Sequence, residues 1–104
     1  MLYLDELANS IKRIQEKDVR LSVVGVGTIG LPLATFLANV GFQVTGLDIN
    51  QKRVEEINSA KVVYEYADIL EDVVLKSKRL HATINPKEAL DKTEVLFVCV
   101  PTPL

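Results

Sequence analysis

Residues 23–34, VVGVGTIGLPLA, decide how this chain folds. Three glycines, Gly25, Gly27 and Gly30, stand between an apolar, β-branched run and the start of a helix. The first glycine allows a tight turn, the second lets a phosphate approach the backbone, and the third lets helix and strand pack closely. The order strand, glycines, helix therefore predicts a nucleotide-binding turn behind a buried strand.

Strands and helices alternate on both sides of this turn. The apolar spacing first predicts an amphipathic helix that ends near Lys17. The predicted strands are residues 20–25, 42–48, 80–84 and 94–100. The helices between them are residues 31–40, which Gly41 stops, residues 50–58, which Asn50 can cap, residues 68–77, and a helical turn that Asn85-Pro86 opens and that runs to Leu90. In helix 68–77 the expected buried stripe is Ile69, Leu70, Val73 and Val74.

This alternation indicates an α/β fold with a parallel sheet of about four strands and helices on both faces. Right-handed crossovers give the strand order 3-2-1-4, a Rossmann-like half domain. We expect an N-terminal amphipathic helix, residues 1–18, and a partial NAD-binding domain, residues 19–104. Ligands of such sheets bind between the first and fourth strands, where this sequence stops, so we expect a piece of a longer protein. The last strand would then be an apolar edge that is prone to pair with another copy.

Composition narrows the class of protein further. The chain has 104 residues and a net charge of −2, so it lacks the basic excess of proteins that bind nucleic acids or anionic membranes. Its single cysteine excludes a disulfide framework and fits a reducing, cytoplasmic compartment. No run approaches the length of a membrane span, and no cluster of ligand residues predicts a metal site.

Asp48 stands at the end of the second predicted strand. There its carboxylate can accept hydrogen bonds from both hydroxyls of an adenine ribose, and such charge-assisted bonds contribute about 1.5–3 kcal/mol. The same charge would repel a 2′-phosphate and so select NAD over NADP. The alternative is that Asp48 only begins the turn to Asn50 or caps a helix. Arg53 can lie along the adenosine or be solvated, and Thr28 can touch the phosphate or ribose or be a passive turn residue.

Four segments resemble one known family: GVGTIGLPLA, VTGLDINQKRVEEIN, RLHATINPKEAL and EVLFVCVPTPL. They are similar to the N-terminal domain of UDP-glucose/GDP-mannose dehydrogenases, above all the bacterial and archaeal nucleotide-sugar dehydrogenases that include UDP-N-acetylmannosamine dehydrogenases. The likeness covers about residues 20–104, and GLPLA and VCVPTPL are more specific than the glycine spacing. The family oxidises a sugar C6 alcohol to a carboxylate by two hydride transfers to NAD.

The resemblance implies a cofactor site for NAD. Its expected residues are Gly25, Gly27, Thr28, Ile29, Gly30, Asp48, Arg53, Val100, Pro101 and Thr102. Of these, Val100–Thr102 would pass near the nicotinamide side, with Thr102 as the candidate hydrogen-bonding group. The family usually has tyrosine where this chain has Thr28, and its YEPGL loop appears here as residues 64–70 without the Pro-Gly turn.

No catalytic residue is expected within this sequence. The nucleophilic cysteine, the lysine and the sugar-binding residues of the family would lie beyond position 104, and Cys99 matches a packing cysteine. We therefore expect the NAD-binding part of a cytoplasmic UDP-sugar 6-dehydrogenase, inactive by itself, from a parent that is a homo-oligomer.

Two other functions use the same half-fold. One is a regulatory module of potassium-transport systems that senses NAD or ATP, against which GLPLA and VPTPL argue. The other is a different NAD-dependent dehydrogenase, such as one that acts on hydroxyacids. Binding of ATP as well as NAD would favour the regulatory module.

Overall fold

The computed structural model describes residues 2–62 and 65–101. The strands are β1 (Arg20–Val24), β2 (Gln43–Leu47), β3 (Leu80–Thr83) and β4 (Val95–Val98). The helices are α1 (Leu2–Gln15), α2 (Gly30–Asn39), α3 (Gln51–Asn58), α4 (Ala67–Glu71), which continues as a π-helical segment over Asp72–Lys76, and α5 (Pro86–Leu90). All strand pairs are parallel, and the order is β3-β2-β1-β4. The predicted fold class and strand order are confirmed.

The two faces of the sheet carry different helices. Successive side chains of a strand point to opposite faces, so Leu21 and Val23 pack into the core with α2 and α3, while Ser22 between them faces α5. The buried Ser22 hydroxyl donates a hydrogen bond of 2.8 Å to the carbonyl of Ala89 in α5. The core on the first face also includes Leu31, Ala34, Ile57, Leu70 and Val73.

Three helix boundaries follow the side chains that predicted them. Asn50 accepts a hydrogen bond from the backbone N–H of Arg53 at 3.1 Å, and Asn85 accepts one from Lys87 at 3.0 Å. Gly41 ends α2 with a φ of +118°, which an L side chain rarely adopts. These caps are local contacts between neighbouring residues, and for that reason the sequence predicts them well.

Several boundaries and one buried position differ from expectation. α1 ends at Gln15 and β4 ends at Val98, both earlier than predicted. Ile69 was expected in the core but is 44% exposed, so that prediction is wrong. Leu70 and Val73 already face the core, and Ile69 lies about 100° around the helix from Leu70. Tyr64, the first residue of the segment 64–70, lies outside the described residues, as does Val63 before it.

β4 is an edge strand, and α1 is tied to its beginning. β4 pairs with β1, and within the described residues it has no second neighbour. The Arg13 guanidinium of α1 contacts the carboxylate of Glu94, just before β4, through two hydrogen bonds of 2.7 and 2.8 Å. No helix in the described ranges has the length and apolar character that a membrane span requires.

Candidate functional site

The glycine loop lies where β1 ends, directly beside the end of β4. Gly25 has a φ of +88°, and its N–H donates to the carbonyl of Leu47 at 2.8 Å. A Cβ atom at Gly25 would lie 2.7 Å from the carbonyl oxygen of Cys99. Backbone conformation and the nearness of β4 therefore both require glycine here. This corner, between β1 and β4, is where open α/β sheets bind their ligands.

Gly30 and Gly27 lack side chains for opposite reasons. A Cβ at Gly30 would lie 1.6 Å from the carbonyl oxygen of Gly25, so the first turn of α2 presses directly on the loop. A Cβ at Gly27 would meet no atom of the described residues within 4 Å. Packing within the described chain thus requires glycine at position 30, whereas at position 27 the space is left open, as a ligand against the backbone would need.

The beginning of α2 presents free hydrogen-bond donors beside this open space. Among the described residues, no acceptor pairs with the backbone N–H groups of Thr28, Ile29 or Gly30. The side chains of Thr28 and Ile29 are exposed, that of Ile29 by 73%. Unpaired N–H groups and the positive end of the helix dipole make such a position suitable for a phosphate.

The Asp48 carboxylate joins this loop to the end of β2. One oxygen, Oδ2, accepts a hydrogen bond from the backbone N–H of Val26 at 3.1 Å. The other, Oδ1, accepts one from the N–H of Asn50 at 3.0 Å, so the local turn weighed as an alternative is present. Because a carboxylate oxygen can accept about two hydrogen bonds, each oxygen keeps capacity for a ribose hydroxyl, and the two roles of Asp48 are compatible.

Of the remaining predicted site residues, the structure describes Arg53, Val100 and Pro101. Arg53 lies in the first turn of α3 and is half-buried. Val100 is 56% exposed after β4, and Pro101 is exposed beside it. Thr102 lies outside the described residues. The structure thus brings the glycine loop, Asp48 and the end of β4 together at one edge of the sheet.

Two residues of the site were missed by the reasoning from sequence. Ile49 follows Asp48 and is 98% exposed, which presents an apolar surface next to the candidate ribose-binding carboxylate. Gly46 lies inside β2, where a Cβ would approach Cγ1 of the fully buried Val26 to 2.8 Å. A glycine in the middle of a strand signals such a close approach, so Gly46 could have been recognised.

A cavity of about 570 Å³ lies elsewhere, at the amino ends of β1, β2 and β3 beside α5. Its lining includes Arg20, Gln43, Lys78, His81, Lys87 and Lys92. Glu88 on its wall accepts a hydrogen bond from Thr83 and contacts His81, and both interactions lower the pKa of the Glu88 carboxyl. None of the predicted cofactor residues lines this cavity.

Comparison with known proteins matches the region that builds this site. Residues 19–104 match the model of the UDP-glucose/GDP-mannose dehydrogenase family, NAD binding domain. The chain is 38% identical over 92 residues to a UDP-N-acetyl-D-mannosamine dehydrogenase of Methanococcus vannielii, covering 88% of this chain and 21% of that protein. It is 40% identical over 94 residues to an NDP-N-acetyl-D-galactosaminuronic acid dehydrogenase of Ralstonia solanacearum, with the same coverage of 88% and 21%.

Solved structures agree with the sequence relatives. A GDP-mannose dehydrogenase from Pseudomonas aeruginosa, crystallised as a ternary complex, superposes with a TM-score of 0.76 at 30% identity, covering 82% of this chain and 20% of that one. A UDP-D-ManNAc dehydrogenase from Pyrococcus horikoshii superposes with a TM-score of 0.73 at 36% identity, covering 83% and 21%. The chain spans about a fifth of the length of the curated relatives it matches.

Proposed function

This chain belongs to the UDP-glucose/GDP-mannose dehydrogenase family, in which it represents the NAD-binding domain, and from this premise we propose that it binds the adenosine diphosphate half of NAD at the glycine loop. The parent activity we propose is oxidation of the C6 alcohol of a UDP-sugar to a carboxylate. Relatives named as UDP-N-acetyl-D-mannosamine and NDP-N-acetyl-D-galactosaminuronic acid dehydrogenases support a nucleotide-sugar substrate.

One observation carries the cofactor proposal. The open space at Gly27 lies beside the unpaired N–H groups of α2, and Asp48 reaches the same loop through Val26. The pyrophosphate would lie against Gly27 and the start of α2, since its oxygens can approach the open backbone and the unpaired N–H groups there. The adenine ribose would bind Asp48, and Ile49 would pack against the adenine ring because its side chain is almost fully exposed.

These residues fit the cofactor by shape and by charge. Gly25 and Gly30 hold the loop against Cys99 and keep the approach to Gly27 clear. Bound NAD supplies a hydride acceptor. The chain itself supplies donors for the phosphates, an acceptor for the ribose and, at the exposed Val100 and Pro101, an approach toward the nicotinamide.

The chain is proposed to be inactive on a sugar by itself. Cys99, its single thiol, is half-buried against the core, and its N–H is bonded to the carbonyl of Val24 at 2.7 Å. A thiol in that position packs as a small apolar group. A cytoplasmic location and a homo-oligomeric parent remain parts of the proposal, the first supported by the single cysteine.

Family membership favours a dehydrogenase over the regulatory module of potassium transport. A sensor of NAD or ATP needs only the adenosine half of its ligand, so ATP and NAD would bind it comparably. In the dehydrogenase the ligand continues from the glycine loop toward Val100 and Pro101, and both are exposed and available for it.

The decisive experiment is a calorimetric titration of the chain with NAD, ADP-ribose, NADP and ATP. We expect NAD and ADP-ribose to bind alike, and NADP to bind at least about tenfold more weakly because its 2′-phosphate meets Asp48. Asp48→Asn removes that negative charge and should therefore narrow the difference in affinity between NAD and NADP. Asp91→Asn makes the same change on the exposed end of α5, far along the chain from the loop, and should leave all four affinities unchanged.

Three outcomes would contradict the proposal. Equal affinity for ATP and NAD would favour the regulatory module. Equal affinity for NAD and NADP in the unmodified chain would remove the role of Asp48. Absence of binding at millimolar NAD would show that the loop alone is not a cofactor site.

A further inference from the structure

The face of the sheet that carries α5 is polar near the amino ends of its strands. The register pairs Thr45 of β2 with Ser22 of β1 and with His81 of β3, and because Ser22 faces α5, the other two lie on that face as well. The same register places Gln43 beside Arg20. Strands of a parallel sheet are commonly apolar on both faces, because helices cover both. A polar stretch of this face therefore indicates contact with water or with a polar ligand.

Two side chains of this polar stretch have unused hydrogen-bonding groups. Among the described residues, neither the hydroxyl of the half-buried Thr45 nor the side-chain amide of Gln43 has a hydrogen-bond partner. Both residues line the cavity of about 570 Å³ beside α5. Cavities of roughly 300–1,000 Å³ hold small organic molecules. The floor of this cavity thus offers neutral donors and acceptors to a ligand larger than a single phosphate.

Positive charge is concentrated on the walls of the same cavity. Its lining includes five cationic and two acidic side chains, in a chain whose net charge is −2. The cations are Arg20, Lys78, Arg79, Lys87 and Lys92. Within the described part of the chain none of the five forms a salt bridge. Arg79 is also held in place, since its Nε donates to the carbonyl of Ala38 at 2.7 Å. These charges are therefore available to an anion in the cavity.

The two acidic residues of the lining do not neutralise these cations. One oxygen of Glu88 contacts Nε2 of His81 at 3.1 Å, and the other accepts a hydrogen bond from the hydroxyl of Thr83 at 2.9 Å. Asp91 is exposed at the end of α5 and forms no salt bridge with a described residue. The cavity therefore keeps an excess of positive charge.

The types of side chain in the lining indicate which anion would fit. No aromatic residue is among the described residues that line the cavity, so it has no ring on which a nucleobase would stack. Lysine and arginine side chains bind phosphate through charge-assisted hydrogen bonds. The hydroxyl of Thr45 and the amide of Gln43 can both donate to and accept from the hydroxyl groups of a ligand. A phosphate that is attached to several hydroxyl groups would use both the walls and the floor.

We propose that this cavity binds a phosphorylated sugar, with its phosphate at the lysine and arginine side chains and its hydroxyl groups at Gln43 and Thr45. The cavity lies at the amino ends of the strands, whereas the glycine loop follows the carboxyl end of β1. The five residues of β1, Arg20–Val24, separate the two places by about 13 Å. The site is therefore distinct from the cofactor site, and the proposal does not rest on the function proposed there.

Calorimetric titration of the chain with glucose 6-phosphate tests the site, with inorganic phosphate and glucose as comparisons. A salt concentration of about 150 mM screens attraction over long distances. We expect a dissociation constant of about 1 mM or lower for glucose 6-phosphate. Phosphate and glucose should each bind at least about tenfold more weakly, because each uses only part of the site. Amide resonances of His81 and Lys87 should shift on binding, and those of Gly27 and Thr28 should not.

A pair of double variants tests the charges of the cavity. Lys78→Gln combined with Lys87→Gln removes two cations from the lining and should weaken binding of glucose 6-phosphate at least about fivefold. Lys61→Gln combined with Lys76→Gln changes the net charge by the same amount at two exposed positions that do not line the cavity. This control should bind glucose 6-phosphate like the unmodified chain.

Thr45→Val tests the role of the floor. The substitution removes the hydroxyl and keeps nearly the same volume, so affinity for glucose 6-phosphate should fall about threefold or more, while affinity for inorganic phosphate should stay unchanged. Because this hydroxyl has no partner among the described residues, thermal unfolding of the variant should match that of the unmodified chain.

Four results would overturn the proposal. The first is absence of binding at about 10 mM glucose 6-phosphate, and the second is an equal loss of affinity in both double variants, which would assign binding to net charge. The third is equal affinity for phosphate and glucose 6-phosphate, which would mean an adventitious ion only. The fourth is a set of shifted amides confined to Gly27 and Thr28, which would place the phosphate at the glycine loop. Binding of NAD at that loop is a separate measurement that the first three results leave unaffected.

Discussion

The carboxylate of Asp48 accepts a hydrogen bond of 3.1 Å from the backbone N–H of Val26. This bond ties the end of β2 to the loop between Gly25 and Gly27, twenty-two residues earlier in the chain. The residue proposed to bind the ribose therefore also holds the loop proposed to bind the pyrophosphate. One side chain joins the two halves of the proposed cofactor site.

Asp48→Ala should lower the free energy of unfolding by about 1–3 kcal/mol in the absence of any nucleotide, because two backbone N–H groups lose their acceptor. Urea unfolding followed by circular dichroism measures the change. Asp91→Ala, on the exposed end of α5, is the matched control and should change the free energy by less than about 0.5 kcal/mol. Equal stability of the two variants would mean that Asp48 acts on the ligand alone.

Gly27→Ala should separate binding from folding. A methyl group at this position meets no described atom within 4 Å, so stability should change by less than about 0.5 kcal/mol. The same methyl group would stand where the pyrophosphate approaches, and affinity for NAD should fall at least about tenfold, or about 1.4 kcal/mol. Calorimetric titration with NAD and thermal unfolding are the two measurements.

Gly30→Ala is the contrast to Gly27→Ala. Its Cβ would lie 1.6 Å from the carbonyl oxygen of Gly25, and α2 would have to move away from the loop. We expect a loss of about 3 kcal/mol or more, in the range of severe packing substitutions. If Gly27→Ala destabilised the fold as much as Gly30→Ala, the open space at Gly27 would have no special meaning for a ligand.

Asn58 should be more important for stability than its place at the end of α3 suggests. Its side-chain amide donates to the carbonyl of Ala82 at 2.8 Å and accepts from the N–H of the same residue at 2.8 Å. Through these two bonds the side chain of Asn58 provides partners for both the N–H and the carbonyl of Ala82 in β3, an edge strand of the sheet. Asn58→Ala leaves both backbone groups without their partner, which should cost about 1–3 kcal/mol.

Asn39→Ala, at the exposed end of α2, is the control for Asn58→Ala, and urea unfolding compares the two. Hydrogen exchange of the Ala82 amide gives a local readout, since that amide should exchange faster only in Asn58→Ala. If the Ala82 amide exchanged equally fast in both variants, Asn58 would not be the residue that protects it.

Acid should loosen the contact between α1 and β4. The hydrogen bond from Arg13 is the largest of the effects that hold the pKa of the Glu94 carboxyl below its ordinary value of 4.5 in the folded chain. The unfolded chain therefore takes up this proton first as the pH falls. Stability from the contact is present above about pH 4.5 and is lost as the pH falls through the lower folded pKa.

Glu94→Gln should remove this part of the acid dependence. Thermal unfolding at constant protein concentration, from neutral pH to about pH 3, should show a shallower acid limb in this variant. Glu71→Gln changes an exposed carboxylate on α4, and its unfolding temperature should fall with pH as steeply as that of the unmodified chain. Identical slopes for all three proteins would mean that the ion pair with Arg13 does not contribute in solution.

Local contacts explain why much of the fold could be predicted. The helix caps at Asn50 and Asn85 and the stop at Gly41 involve residues only a few positions apart, so the residue types alone reveal them. The strand order follows from alternation of strand and helix together with the handedness of the crossovers. Ile69 was misplaced because spacing predicts an apolar stripe but not where its margin lies: Leu70, Val73 and Val74 are buried, and Ile69 lies beyond the margin of that stripe.

The sequence by itself determined the spacing of the three glycines and of Asp48, and this spacing predicted a dinucleotide-binding site. Tertiary structure alone decided that Gly27 is open while Gly30 is closed, because this depends on how near β4 and the start of α2 come to the loop. It also decided that Asp48 bonds to Val26 and that the apolar side chains of α1, such as Leu7 and Ile11, are about half exposed. Periodicity reveals which residues share one side of an element, but contact between elements distant in the chain is set by packing in three dimensions.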